Sequence, residues 1–235
     1  MVDISIIGCC HGAYDQLNLA GGDLLIVTGD ITARDEISEY EAFVQWLNRQ
    51  DYRKKIVIGG NHDNCLQREG AQLFKWAANT EYLCDSGTQF HGTDKHGVSY
   101  TMKIFGSPWS LTFPNMNPKC KAFTCETEEE IANKWAMIPI DTDILITHTP
   151  PYGILDGISI KDGSEFHVGS KSLLNWLGNV GKPQLHCFSH IHENGHGKLI
   201  YKREGYGDEN NTICVNASIM NERYKPTNDP VRIIL

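Results

Sequence analysis

Metal-capable side chains follow short apolar stretches at five places in the sequence. The clearest stretch, residues 56–58, is followed by two glycines and then by Asn61, His62 and Asp63. The other four stretches are followed by Cys9 and His11, by Asp30, by His148, and by His190 with His192. Such oxygen and imidazole ligands suit divalent Mn, Fe or Zn, and a pair of these ions can hold and activate a phosphate ester. One polar residue after a strand is usually an ordinary turn residue, so the prediction depends on the coincidence of all five.

The apolar stretches have the length and composition of buried β-strands. Alternation of strand, helix and strand in the first half of the chain favours an α/β sheet. Strands are predicted at residues 4–7, 24–28, 56–58, 83–84, 97–105, 143–147, 185–188, 198–201, 212–216 and 231–235. Because strand ends face the binding crevice of an open α/β sheet, the five sets of polar side chains are expected to converge at one edge.

Helices are predicted between these strands. Over residues 36–50 the apolar side chains recur at three- and four-residue spacing, which is typical of an amphipathic helix. Thr127 and Glu130 form a capping box, and the helix that they begin is expected to end near Ile138 because Pro139 cannot continue it. Residues 66–78 are also predicted to be helical, and Ser170 is a candidate cap for a further helix.

The composition is that of a globular protein with excess negative charge. The 235 residues are 40% hydrophobic and are expected to form a single domain, residues 1–235. The net charge of -8 argues against bulk nucleic-acid binding. Neither a signal peptide nor a membrane span is predicted, so the eight cysteines are expected to be reduced thiols in the cytoplasm. The aromatic, proline-rich segment 106–125 is expected to be a lid or substrate loop.

The polar motifs resemble those of the calcineurin-like metallophosphoesterases. That family carries Asp-x-His, Gly-Asp, Gly-Asn-His-Asp/Glu, His and Gly-His-x-His, in this order. The matching blocks here are Cys9-Cys10-His11, Gly29-Asp30, Gly60-Asn61-His62-Asp63, His148 and Ser189-His190-Ile191-His192. A narrower likeness, to the metallophosphoesterase-domain-containing subfamily related to class III cyclic nucleotide phosphodiesterases, is carried by Gly106-Ser107-Pro108-Trp109, by residues 148–153 with Asp156, and by Val215-Asn216-Ala217-Ser218.

The resemblance implies a four-layer α/β/β/α sandwich of two mixed β-sheets around a binuclear metal centre. Asp30 would bridge two divalent ions (Mn, Fe or Zn). The resemblance gives the first ion Cys9, His11 and His192, and the second ion Asn61, His148 and His190. His62 would stabilise or protonate the leaving oxygen, and Asp63 would orient His62. Asn61 and His62 would also contact substrate. Arg34 is a candidate phosphate contact, with a surface role as the alternative.

Cys9 departs from the family pattern, which has aspartate at this position. The sequence allows three interpretations of this cysteine. The thiolate binds the first metal and favours a softer ion such as Zn(II), because a metal-bound thiol is deprotonated outright. Alternatively, the first site is weakened and activity is low. In the third reading, the protein has become a binding module.

The activity implied by the resemblance is hydrolysis of phosphate esters by a metal-bridging hydroxide. The expected substrate is a small nucleotide-like phosphodiester, so the partner is a small molecule and not a membrane. The alternatives are a phosphomonoesterase and a catalytically weak scaffold that binds a partner protein. The sequence indicates no oligomeric state.

Overall fold

The computed structural model describes residues 1–93, 96–113, 116–159, 163–193, 195–203, 205, 207 and 210–235. Its strands are β1 Asp3–Ile7, β2 Gly22–Val27, β3 Tyr52–Val57, β4 Thr80–Tyr82, β5 Ser86–Thr93, β6 Ser99–Ser107, β7 Ser110–Leu111, β8 Thr124–Cys125, β9 Ile144–Thr147, β10 Gly157–Ser159, β11 Glu165–His167, β12 Leu185–Phe188, β13 Gly197–Tyr201, β14 Thr212–Asn216 and β15 Val231–Ile234. The α-helices are α1 Ile37–Asn48, α2 Asn64–Glu69, α3 Glu128–Trp135 and α4 Lys171–Asn179. Short 3-10 helices cover Ala13–Gln16 and Gly70–Phe74.

Two mixed sheets form the centre of the fold. The first has the order β15-β1-β2-β3-β4, in which β1 to β4 are parallel and β15 is antiparallel to β1. The second has the order β13-β14-β12-β9-β6-β5, with a parallel centre and an antiparallel strand at each edge. Strands buried on both faces explain why the apolar stretches are nearly continuous in the sequence.

The core lies in three layers that follow from the alternation of side chains along each strand. Ile4, Ile26 and Ile56 of the first sheet pack with Ile104 and Ile146 of the second, so the two sheets face each other. The intervening residues of the first sheet pack against α1 on the outer face. The outer face of the second sheet is covered by α3 and α4. The predicted four-layer α/β/β/α sandwich is therefore confirmed.

Helices α3 and α4 begin as the sequence indicates, whereas α1 and α3 end before their predicted last residues. Thr127 and Ser170 accept the backbone N–H groups of Glu130 and Leu173, which begins α3 and α4 at the predicted places. Helix α3 ends at Trp135 instead of Ile138, and turns then lead into Pro139. The helix predicted over 66–78 is divided into α2 and a 3-10 helix at Gly70, whose φ is 59°.

Contrary to the sequence prediction, residues 83–84 do not begin a strand; the next strand, β5, begins at Ser86. These residues connect β4, at the edge of the first sheet, with β5, at the edge of the second. Leu83 is buried because it packs into the core between the sheets at this crossing. Among the described residues, none of the helices is both long enough and apolar enough to cross a membrane.

Candidate metal centre

The five predicted sets of polar side chains meet at one edge shared by the two sheets. β1, β2 and β3 of the first sheet lead into Cys9 and His11, Asp30, and Asn61 with His62. β9 and β12 of the second sheet lead into His148, and into His190 with His192. Since these strands run parallel within each sheet, their carboxyl ends lie side by side. The predicted convergence is present, and the 3.4 Å contact between His148 Nε2 and Asp30 Oδ2 joins the two sheets.

The backbone at this edge is strained. Left-handed φ angles occur at Cys9 (46°), His11 (41°), Asp30 (54°) and His190 (70°), a region that L-residues other than glycine seldom adopt. Such conformations persist where surrounding structure holds them, and they concentrate at functional sites. Gly60 is required here by close approach, because a Cβ atom at this position would lie 2.5 Å from Cε1 of His148.

Asn61, His148 and Asp30 direct three acceptor atoms at one another. His148 Nδ1 lies 2.8 Å from the Thr28 carbonyl oxygen, so Nδ1 donates and Nε2 faces the cluster. The Asn61 amide nitrogen donates to the Cys120 carbonyl at 3.1 Å, which turns Asn61 Oδ1 towards His148 Nε2 at 3.1 Å. Asp30 Oδ2 lies 3.4 Å from the same Nε2. Facing acceptors of this kind fit a cation between them. The His190 ring is close by, with its centroid 4.8 Å from that of His148.

A second group surrounds Cys9. The ligand atoms of Cys9, His11 and His192 all lie within 4.8 Å of one another. His11 Nε2 is buried, lies 3.7 Å from Asp30 Oδ2, and has no hydrogen-bond partner within the described part of the chain. Cys9 Sγ lies 3.9 Å from Asp30 Oδ2 and accepts the His190 backbone N–H at 3.0 Å. Asp30 therefore belongs to both groups.

The protonation states fit metal ligation. Burial lowers the pKa of His11 and His190 to about 3 and that of His192 to about 4, so these imidazoles are neutral at physiological pH. Burial opposes ionisation of Asp30, but the charge and the hydrogen bond of His148, whose own pKa is raised, outweigh it and hold the Asp30 pKa well below the ordinary value. An anionic carboxylate and neutral imidazoles are the forms that bind divalent ions.

Cys9 and His148 have raised pKa values, each for an electrostatic reason. Burial and then the Asp30 charge raise the pKa of the Cys9 thiol well above its ordinary value. Burial alone would lower the pKa of His148, but the Asp30 carboxylate raises it. The Asp30 charge contributes to both shifts, and a divalent cation would neutralise that charge. The donor set of this edge therefore fits divalent metal ions.

His62 lies next to these groups and lines an open cleft of about 780 Å³. Its backbone N–H donates to Asp30 Oδ1 at 2.9 Å, and its ring centroid lies 4.6 Å from that of His11. The metal side of the cleft is lined by Asp30, Asn61, His62, His190 and His192. A substrate in the cleft would therefore contact His62 next to the candidate ligands.

Asp63 has different contacts from those predicted. Its Oδ2 accepts the backbone N–H groups of Asp30 and Gly60, both at 2.8 Å. Its Oδ1 accepts from the Ile31 N–H at 3.1 Å and from the Tyr40 hydroxyl at 3.0 Å. The carboxylate is fully buried and holds the Asp30 loop against the Gly60 turn. The structure thus makes Asp63 a positioning residue for the backbone, in place of the predicted partner of the His62 ring.

Arg34 does not line the cleft. Its side chain is exposed, and its backbone N–H donates to Glu39 Oε2 at 2.9 Å ahead of helix α1. The surface role, which the sequence left as an alternative to phosphate contact, is the one that fits this position.

Comparison with known proteins places these features in a family. The sequence model described as calcineurin-like phosphoesterase matches residues 3–194. The human protein named metallophosphoesterase domain-containing protein 1 is 33% identical over 96% of this chain and 68% of its own length. A UPF0046 protein of Caenorhabditis elegans is 30% identical over 96% of this chain and 58% of its own length. A solved structure with 14% identity has a TM-score of 0.62 over 91% of this chain and 89% of that one, which shows a shared fold.

The chain belongs to the calcineurin-like phosphoesterase family. Membership assigns it to the metal-dependent phosphoester hydrolases and implies divalent metal ions. The predicted family and subfamily are both supported by these matches, because the human relative carries the metallophosphoesterase-domain-containing name.

One residue at the centre was missed by the sequence analysis. The ring centroid of Tyr224 lies 4.9 Å from that of His11, 5.0 Å from that of His192 and 6.3 Å from that of His62. A turn in which the Tyr224 N–H donates to the Asn221 carbonyl holds this ring in place, with φ at 54°. The stretch around Tyr224 carries no motif, so only the tertiary structure reveals its position.

Proposed function

We propose that the protein hydrolyses a small phosphodiester with the aid of two divalent metal ions. The observation that carries this proposal is the group of acceptors formed by His148 Nε2, Asn61 Oδ1 and Asp30 Oδ2, where the distances of 3.1 and 3.4 Å leave a cation as the natural partner. His11 Nε2, which is buried and has no hydrogen-bond partner among the described residues, lies on the other side of Asp30 and supports a second ion. The family supplies the reaction class.

The proposed ligands follow from the two groups. Cys9, His11 and His192 would hold one ion, and Asn61, His148 and His190 would hold the other. Asp30, which lies against both groups, would contribute to each site. When bound, such ions neutralise phosphoryl charge and make water nucleophilic near neutral pH. Mn, Fe and Zn all suit the oxygen and imidazole donors, and a Cys9 thiolate favours Zn(II) at the first position.

Two residues act on the substrate in this proposal. His62, which lines the cleft beside the ligands, stabilises or protonates the leaving oxygen. The Asn61 amide is held by Cys120, so it is oriented before substrate binds. Asp63 contributes by holding the Asp30 and Gly60 backbone.

The shape of the cleft favours a diester over a monoester. Beyond the metal side it continues along apolar side chains that include Leu111, Phe113 and Phe166. A monoester has one organic substituent, whereas a diester has two, and this space suits the second. We propose that segment 106–125 acts as a lid within a single domain of residues 1–235. Leu111 and Phe113 on the cleft and the Cys120 contact to Asn61 support this; residues 114–115 lie outside the described residues.

The substrate preference is tested by hydrolysis of bis(4-nitrophenyl) phosphate and of 4-nitrophenyl phosphate with added Mn(II) or Zn(II). The proposal expects cleavage of the diester, little cleavage of the monoester, and loss of diester cleavage in His62→Ala by about 100-fold or more. Preferred cleavage of the monoester would replace the proposal with a phosphomonoesterase. Cleavage of neither, by metal-loaded protein, would favour a binding scaffold.

We also propose that the protein works in a reducing compartment such as the cytoplasm. All eight cysteines are free, and five of them besides Cys9 are buried. Free buried thiols are typical of proteins kept reduced.

A further inference from the structure

A second histidine–carboxylate pair lies at the cleft, away from the candidate metal ligands. His167 Nδ1 is 2.7 Å from Asp156 Oδ1. The Asp156 carboxylate is completely buried, whereas the His167 side chain is 40% exposed and lines the cleft. The buried partner therefore holds an accessible imidazole. This pair has no place in the mechanism proposed above.

The orientation of the His167 ring is fixed. Asp156 Oδ2 accepts the backbone N–H groups of Gly153 at 3.0 Å and Gly169 at 2.8 Å, so the carboxylate is held from both flanking loops. A carboxylate oxygen accepts, which makes Nδ1 the donor in the bond to Asp156. Among the described residues, this is the one hydrogen bond that the His167 side chain makes. Nε2 remains for a ligand.

The surroundings of His167 have the character of a small-molecule pocket. β10 and β11 pair, and they bring Ile158, Phe166 and His167 to the same cleft. Phe166 is 57% exposed, and the Tyr152 ring meets the His167 ring edge-on with centroids 5.6 Å apart. Ligand pockets are mostly apolar and contain a few oriented polar groups. The β10–β11 wall and the oriented His167 ring meet that description.

We propose that His167 is a specificity-determining residue, whose Nε2 hydrogen-bonds the organic substituent that stays on phosphorus while the β10–β11 wall packs against it. This inference rests on the proposed phosphodiester hydrolysis, because it assigns the second substituent of the diester to the far side of the cleft. His62, His190 and His192 line the near side of the same cleft. One substrate can therefore meet the metal side and His167 together.

A purely structural role is the competing explanation, in which His167 only satisfies the buried Asp156. His167→Asn separates the two roles, because the asparagine amide nitrogen can take the place of Nδ1 and keep the bond to Asp156, while nothing replaces Nε2. His91→Asn is the matched control. His91 also makes a hydrogen bond through Nδ1, to Thr101 Oγ1 at 2.9 Å, but it is exposed on β5 and does not line the cleft.

The test compares thymidine 5′-(4-nitrophenyl phosphate) with methyl 4-nitrophenyl phosphate on metal-loaded protein. Both expel 4-nitrophenol, and they differ in the substituent that stays on phosphorus. In His167→Asn, the kcat/KM of the thymidine substrate divided by that of the methyl substrate is expected to fall about tenfold, mainly because KM for the thymidine substrate rises. A change of this size corresponds to the loss of one hydrogen bond. The ratio is expected to stay unchanged in His91→Asn.

A binding measurement keeps the inference testable if the proposed hydrolysis fails. Calorimetry on the metal-loaded protein compares thymidine 5′-phosphate with methyl phosphate, and the ratio of their Kd values is expected to show the same roughly tenfold effect of His167→Asn. If the wild-type protein hydrolyses neither diester but His167→Asn still changes the ratio of Kd values, the proposed function is rejected and the role of His167 in binding is retained. A wild-type protein that does not distinguish the two phosphates, or a variant with the wild-type ratio, would overturn the inference.

Discussion

Three of the candidate ligands, His148, Asn61 and Asp30, are each oriented by a hydrogen bond that their other polar atom makes. His148 is held through Nδ1 by the Thr28 carbonyl, and Asn61 is held through its amide nitrogen by Cys120. Asp30 Oδ1 accepts the His62 N–H, which leaves Oδ2 for the neighbouring imidazoles. Outer contacts of this kind fix the direction of the ligands and strengthen metal binding. At the scale of single residues, these three ligands are therefore oriented before any ion binds.

The first prediction at this scale concerns Cys9. Cys9→Ser is expected to weaken the first metal site by at least about tenfold, because a hydroxyl is a poorer ligand than a thiolate. Cys9→Asp is expected to retain the site and shift its preference from Zn(II) towards Mn(II). Metal affinity measured with a competing chelator checks both. Cys10→Ser is the control, since Cys10 is a buried neighbour that packs against the outer face of the first sheet. Unchanged affinity and preference in both Cys9 variants would place Cys9 outside the set of ligands.

At the scale of elements, the centre depends on how the turns after neighbouring strands are held together. The turns after β2 and β3 carry Asp30 and Asn61, and one buried carboxylate, Asp63, bonds both turns. Helix α1 joins the same network through the Tyr40 hydroxyl, which donates to Asp63 at 3.0 Å. The strained φ of Asp30 is thus compensated by the hydrogen bonds that the N–H groups of Asp30 and Ile31 donate to Asp63, in the turn after β3.

Asp63→Asn is expected to lower the free energy of unfolding by about 3 kcal/mol, because its amide group would face backbone N–H donors and leave them unsatisfied. Tyr40→Phe removes one bond to the same carboxylate and is expected to cost about 1 kcal/mol. Urea denaturation of the metal-free proteins measures both. Equal stability of Asp63→Asn and wild type would contradict the role given to this carboxylate.

Residues that directly follow a strand could be predicted from the sequence, whereas residues placed by tertiary contacts could not. The candidate ligands were predicted because each follows its strand directly, and strand pattern and neighbouring polar residue are both local signals. The family resemblance assigned Asp63 to the neighbouring His62, whereas its hydrogen bonds run to Asp30 and Tyr40. Tyr224 and His167 come from segments whose position depends on tertiary contacts. Leu83 was assigned to a strand because it is apolar, but it is apolar because the connection between β4 and β5 passes through the core at this residue.

At the scale of the whole molecule, buried neutral histidines make stability sensitive to acid. His186 is fully buried, with Nε2 bonded to the Thr147 hydroxyl at 2.8 Å, and burial lowers its pKa to about 3. The unfolded chain takes up this proton below about pH 6.5, but the folded chain does not. The contribution of His186 to stability is therefore present above that pH and declines as pH falls towards 3.

His186→Gln is expected to reduce the acid sensitivity by up to about 1.4 kcal/mol per pH unit between pH 6 and 4. Glutamine retains a donor for Thr147 but does not titrate. Unfolding free energies at several pH values measure the difference, and the other buried histidines affect both proteins alike. Parallel pH profiles for the two proteins would contradict this account, because they would mean that His186 titrates alike in the folded and unfolded chains.

Metal content of the purified protein tests the account most directly. Elemental analysis after incubation with Mn(II) or Zn(II) and removal of excess ion is expected to find about two ions per chain in wild type and about one in His148→Ala. Well under one ion per chain in wild type, with none regained after either metal is added, would contradict a binuclear centre at this edge of the sheets.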